Sequence, residues 1–115
     1  MTNAERSLTG SWLAQRLAVD PVRIEAMRRA GELVAVRPDG SFDWYYPAWQ
    51  FGSDGKVLPP VRRALEAARA AGVNSARLAE LLERRTGMVG GGVPLRELLL
   101  RGDVDRVVGE IRRAA

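Results

Sequence analysis

The chain has 115 residues, 46% hydrophobic and 28% charged, the proportions of a globular protein with one core or two small subdomains sharing it. It holds no cysteine and no histidine, which excludes disulfides, thiolate chemistry, the usual zinc ligands and the commonest general base. The formal charge is +4 and the pI about 10.6, a balance that permits nucleic-acid binding without demonstrating it. All the basic residues are Arg except Lys56, and they are unevenly placed. Residues 1–58 hold seven basic and seven acidic groups, residues 59–115 eleven and seven. No apolar run approaches the roughly 20 residues that span a bilayer, and the opening MTNAERS is unlike a secretion signal, so a cytoplasmic, nucleoid-associated protein is expected.

In chain order, Thr9 or Ser11 is placed to cap a short helix whose inward stripe is Trp12, Leu13 and Leu17. Ala18 and Val19 make a tight turn. Asp20-Pro21 then starts a second helix, Asp as N-cap and Pro at the first helical position, running to about Ala30 with Gly31 as its C-terminal cap. Ile24 and Met27 face inward. The stretch ELVAVRPDGSFDWYY predicts a hairpin: Leu33–Arg37 as one strand, Pro38-Asp39-Gly40 as turn, residues 41–46 returning. Phe42, Trp44 and Tyr46 then share one face, Asp43 and Tyr45 the other, which makes Tyr45 the ring expected to be exposed. Two helices followed by a hairpin are the plan of a winged helix-turn-helix. Beyond it the chain is helical: a helix from Pro59-Pro60 with Val61, Leu65 and Ala68 inward and closed by Gly72, one capped by Asn74 or Ser75 with Leu78, Leu81 and Leu82 inward, then a flexible break at MVGGGV. Pro94 opens PLRELLLRG, and Asp103 caps the last helix.

The expected fold is therefore mainly α with a small β-hairpin wing, a winged helix-turn-helix over residues 1–46 and a helical subdomain over 47–115. A helix-turn-helix places its second helix in the major groove. The positions expected to face outward are Val22, Arg23, Glu25, Ala26 and Arg29, with Arg28 at the margin and Arg37 in the wing. Val22, Arg23, Ala26, Arg28, Arg29 and Arg37 are the candidate contacts to double-stranded DNA. Against this stands a plain helical hairpin with solvated arginines, and Glu25 sets a carboxylate among the phosphates. Residues 21–37 still carry four Arg against two Glu.

LAVDPVRIEAMRRAGELVAVR resembles the recognition segment of MerR-like and excisionase-type helix-turn-helix domains. Val19, Asp20, Ile24, Met27, Gly31, Leu33, Ala35 and Arg37 fall on that pattern's turn, cap, core and basic wing. Over residues 8–40 this implies winged-helix DNA binding, with the helix after Asp20 as reader. YYPAWQF and GGGVPLRELLLRGDVDRVV resemble two signatures of the Xre/MbcA/ParS antitoxin family, together covering residues 44–115. That resemblance implies a C-terminal region that meets a RES-type toxin, and a regulator that binds its own promoter, as a homodimer. ARLAELLERRTGM departs from it, lacking the Trp-Leu and Pro-Asn pattern of that family. The chain is also similar to small actinobacterial DNA-binding proteins of this layout, for which no toxin is implied. A stand-alone regulator is thus the alternative.

SFDWYYPAWQF holds six of the seven aromatic residues. With no basic residue between Arg37 and Lys56, a base-stacking platform is disfavoured. Trp44, Tyr46, Trp49 and Phe51 are expected to form a seam joining the hairpin to the C-terminal helices, with Gln50 satisfying backbone groups there. Val104, Val107, Val108 and Ile111 line one stripe of the last helix, either core or, with Leu98–Leu100, a dimer or partner face. No cofactor or metal is expected. Catalysis is the least expected function, because capping explains the pair Asp103 and Asp105.

Overall fold

A computed structural model describes residues 7–85 and 92–115. Local chemistry decides the helix ends. Strand β1 (Ser7–Thr9) runs into helix α1 (Gly10–Leu17), and Thr9 Oγ1 accepts from the Trp12 amide at 3.2 Å, so Thr9 and not Ser11 is the cap. Helix α1 ends with Ala18 at φ 55, the Val19 amide donating to Ala14 O and the Ala18 amide to Gln15 O. A left-handed alanine costs roughly 1–2 kcal/mol, and the paired carbonyls of this Schellman turn offset it. Helix α2 (Pro21–Arg29) starts where expected: Asp20 Oδ1 accepts from Val22 N at 2.8 Å. It stops in a second Schellman turn, Glu32 N to Met27 O at 2.9 Å and Gly31 N to Arg28 O at 3.1 Å, with Gly31 at φ 75.

The hairpin is smaller than the sequence predicts. Residues 33–37 and 41–46 meet at one bridge, Val36 with Tyr45, and the turn closes through Ser41 N to Pro38 O at 3.0 Å. Strand β2 (Tyr45–Pro47) makes its ladder with β1 instead, antiparallel, with Leu8 opposite Tyr46. Two local causes shorten the predicted hairpin. Pro38 has no amide to give, and Ser41 Oγ binds the Asp43 amide at 3.1 Å, bending residues 41–43 out of extended form. The period-two reading fails in that bend, and Phe42 is 96% exposed rather than inward, while Tyr45 is half-buried.

A 3-10 turn (Ala48–Gln50) leads to α3 (Pro59–Ala71), α4 (Ser75–Glu83), α5 (Leu95–Leu100) and α6 (Val104–Arg113). Helix α3 ends at Gly72, φ 76, and Asn74 caps α4 through its bond from Arg77 N at 2.9 Å. Asp103 makes no capping bond from its side chain; its amide donates to Leu98 O at 2.9 Å, so it shapes the α5–α6 turn. The expected break at MVGGGV falls, over residues 88–91, outside the described residues. The architecture is mainly helical with a small two-stranded antiparallel sheet. Among the described residues no helix is long and apolar enough to cross a membrane.

Two cores result. Leu13, Ala14, Ile24, Leu33, Ala35 and Tyr46 form the first, with Trp44 and Phe51 packed against it. The second gathers the apolar stripes of α3, α4, α5 and α6 around Leu65, Leu78, Leu82, Leu99, Val107 and Ile111. The predicted seam is therefore divided: Trp49 enters the second core, whereas Tyr46, Trp44 and Phe51 belong to the first. The chain 33–35 alternates between them, Leu33 and Ala35 into one, Val34 into the other. Gln50 is the joint. Fully buried, it receives the Val34 amide on Oε1 at 2.9 Å and donates from Nε2 to Val34 O at 2.9 Å and Pro47 O at 3.0 Å. Its carboxamide does for Val34 what a neighbouring strand would do, sparing an interior backbone pair that would otherwise go unbonded.

Candidate nucleic-acid interface

Helix α2 packs against α1 with Ile24 as its buried anchor, 1% exposed, and Met27 half-buried beside it. Every position that helical geometry turns away from Ile24 is open: Val22, Arg23, Glu25, Ala26 and Arg29 are all exposed. Val22 is the extreme case at 71%, an apolar side chain with nothing on it. The turn Ala18–Asp20 joins α1 to α2, and Pro21 adds no amide there that would need a partner.

Charge on this face is partly spent within the helix. Glu25 Oε1 accepts from Arg29 Nη2 at 2.7 Å, one turn apart, and lies 3.5 Å from Arg28 Nη2. Arg23 makes no ion pair among the described residues, so it is the freest cation of α2. Its place in the first turn, three residues beyond the cap, is where a groove-reading helix reaches base edges.

Arg28 departs from the expected list. Its side chain is only 15% exposed, turned under α2 toward the first core, with the guanidinium carbon 4.3 Å from the centre of the Trp44 ring. Sequence spacing carried a hint, since Arg28 lies one turn beyond Ile24 and shares its face. Beside it Tyr46 is 3% exposed, and burial raises its hydroxyl pKa above the ordinary 10.0, a shift the nearby Arg28 charge opposes. Arg37 is exposed at the mouth of the loop, with its guanidinium carbon 5.1 Å from the same Trp44 ring. The sequence reading took Trp44 for part of the seam and missed that it gathers two arginines from separate segments. The only local signal was register: a hairpin joining Val36 to Tyr45 sets Arg37 opposite Trp44.

The face thus assembled holds Val22, Arg23, Ala26 and Arg29 on α2, with Arg37 alongside; it excludes Arg28. The C-terminal helices bring no comparable apolar exposure. The stripe Val104, Val107 and Ile111 is buried against α3, Leu99 is fully buried, and Leu98, Leu100 and Val108 pack on the same core. Among the described residues the exposed large apolar side chains are Trp12, Val19, Val22 and Phe42, all in the N-terminal half.

No family model and no curated protein matches this chain. Among solved structures it is similar to the NMR structure of Rv2175c, with a TM-score of 0.73 at 20% sequence identity over 100% of this chain and 84% of that one, a likeness of fold.

Proposed function

We propose that this chain is a winged helix-turn-helix regulator that binds double-stranded DNA, with α2 as the reading helix. The observation that carries the reading is the outward face of α2, where Val22, Arg23, Ala26 and Arg29 are solvent-exposed around an anchor, Ile24, that is wholly buried. On a major groove, Arg23 pairs with guanine or phosphate, Val22 meets a thymine methyl, and Ala26 leaves room for the backbone to approach. Arg29 exchanges Glu25 for a phosphate, and Arg37 reaches the neighbouring DNA backbone.

The stand-alone form of this regulator is better supported than the antitoxin form. Of the two readings of the last helix's stripe, core or partner face, the buried Val104, Val107 and Ile111 favour core and leave no open apolar stripe there for a toxin.

Duplex binding measured by fluorescence anisotropy across a salt series tests the reading. Affinity should fall linearly on logarithmic axes, with a slope near 0.9 per phosphate contacted. Arg23→Ala combined with Arg29→Ala should remove most of it, Arg23→Ala alone costing about 1–3 kcal/mol at a cognate site. Wild-type protein that binds no duplex at the lowest salt would sink the proposal and leave a protein-interaction module.

A further inference from the structure

This inference rests on the duplex-DNA reading and adds the residue that decides where Arg37 points. Val36 and Tyr45 exchange backbone hydrogen bonds of 2.9 and 2.8 Å across their bridge, which makes Arg37 and Trp44 the next facing pair, at the neck of the loop. Two guanidinium groups lie over the Trp44 ring, Arg28 at 4.3 Å and Arg37 at 5.1 Å from its centre. The negative face of an indole attracts each cation, and does so most strongly where water is excluded. Like charges so close repel, and here Glu25 relieves that cost on the Arg28 side.

Arg37 itself has no carboxylate partner among the described residues, although Asp39 and Asp43 flank it in the same loop. A carboxylate would pin Arg37 and cancel its charge together. An aromatic ring pins it and leaves the charge whole, with the hydrogen-bonding edge of the guanidinium free for a planar acceptor. We propose that Trp44 is a positioning residue for DNA binding: its ring holds Arg37 ready, fully charged, for one phosphate beside the groove that α2 enters. The occupant is a phosphate rather than a base edge, because Asp39 and Asp43 keep the tip of the loop out of an anionic groove.

The experiment compares wild type, Arg37→Ala, Trp44→Ala, Trp44→Phe and the double variant Arg37→Ala/Trp44→Ala on one duplex across a salt series. Thermal unfolding of each variant and the Arg37 Nε–H proton resonance in the free protein are recorded alongside. Arg37→Ala should lower the salt slope by about one. Trp44→Ala should do the same with Arg37 still present, the double variant should lose nothing more, and Trp44→Phe should keep the wild-type slope. The Arg37 Nε–H resonance should move away from its ring-shifted position only in Trp44→Ala. A Trp44→Ala protein that is less stable yet retains the wild-type slope overturns the positioning role, as does a double variant whose losses add. Wild-type protein that binds no duplex brings down the DNA reading and this role together. Intact wild-type binding separates that outcome from failure of the positioning alone.

Discussion

The two halves of the molecule spend their apolar residues differently. Helices α3 to α6 turn their large side chains inward and leave a charged exterior, whereas the N-terminal half keeps a thin core and exposes Val19, Val22, Trp12 and Phe42. Total charge alone would point to the C-terminal half. Residues 59–115 hold the whole positive excess, while residues 1–58 are balanced. Pairing, not tally, decides where a cation is available: Glu25 occupies Arg28 and Arg29 and leaves Arg23 free on the same helix. On the proposed DNA reading, a face that meets a partner has to stay unpaired and unpacked, and the half with the smaller core is the one that leaves such a face open. A division of labour in which the half with the larger core acts as the base for the smaller one is the expectation this leaves.

If that division of labour holds, the heaviest damage should come from the base. Trp49→Ala removes a ring 8% exposed in the second core, next to the Gln50 joint, and should cost about 3–5 kcal/mol in chemical unfolding. Both halves should melt together, because Val34 and Gln50 tie them. A variant of wild-type stability would mean that the ring merely covers the core, and two separate transitions would mean that the joint is weak.

What the sequence disclosed and what it hid divide along the same physical line. Helix starts and stops at Asp20-Pro21, Gly31, Gly72 and Asn74 were legible, because a cap depends on a few adjacent residues. So were the stripes Val61, Leu65, Ala68 and Leu78, Leu81, Leu82, which repeat with the helical period. The pairing of Ser7–Thr9 with Tyr45–Pro47 was not, since three-residue strands far apart in the chain carry no alternation to recognise. Gln50 was expected to satisfy backbone groups, yet its partner, Val34, lies sixteen residues away and no spacing names it. The exposure of Val22, Arg23, Ala26 and Arg29 followed from turning the helix about Ile24. How far Arg28 is covered was only hinted at by spacing, because the ring it lies on, Trp44, belongs to another segment.

The junction between the halves offers a smaller lever. Gly31 ends α2 at φ 75, and a Cβ there would stand 2.9 Å from Cδ of Arg69, whose Nη1 donates to Ala30 O at 3.3 Å. Gly31→Ala should cost about 1–2 kcal/mol from the left-handed backbone, plus whatever displacing Arg69 adds. Combining it with Arg69→Ala separates the two contributions in the same unfolding experiment. If the combination is as unstable as Gly31→Ala alone, the side-chain clash is negligible and backbone conformation accounts for the loss.

The smallest effect lies inside the thin core and is visible only in alkali. Tyr46 is 3% exposed, and burial holds the proton on its hydroxyl to a pH above the ordinary 10.0, although the Arg28 guanidinium draws the other way. In the unfolded chain the same hydroxyl ionises at its ordinary value. Between the two pKa values unfolding therefore releases a proton, so stability is whole below about pH 10 and declines as pH rises toward the folded pKa. Urea unfolding of wild type and Tyr46→Phe from about pH 9 to about pH 11 should show the decline in the first and a flatter profile in the second. Because Arg28 lies between Tyr46 and Trp44, its removal reports on the electrostatics of the whole cluster. In Arg28→Ala the opposing charge is gone, the Tyr46 pKa should climb further, and the alkaline decline should extend to higher pH. A decline that instead levelled off at lower pH in Arg28→Ala would show the guanidinium acting chiefly to exclude water from the hydroxyl, so that packing, rather than charge, governs the ring beneath α2.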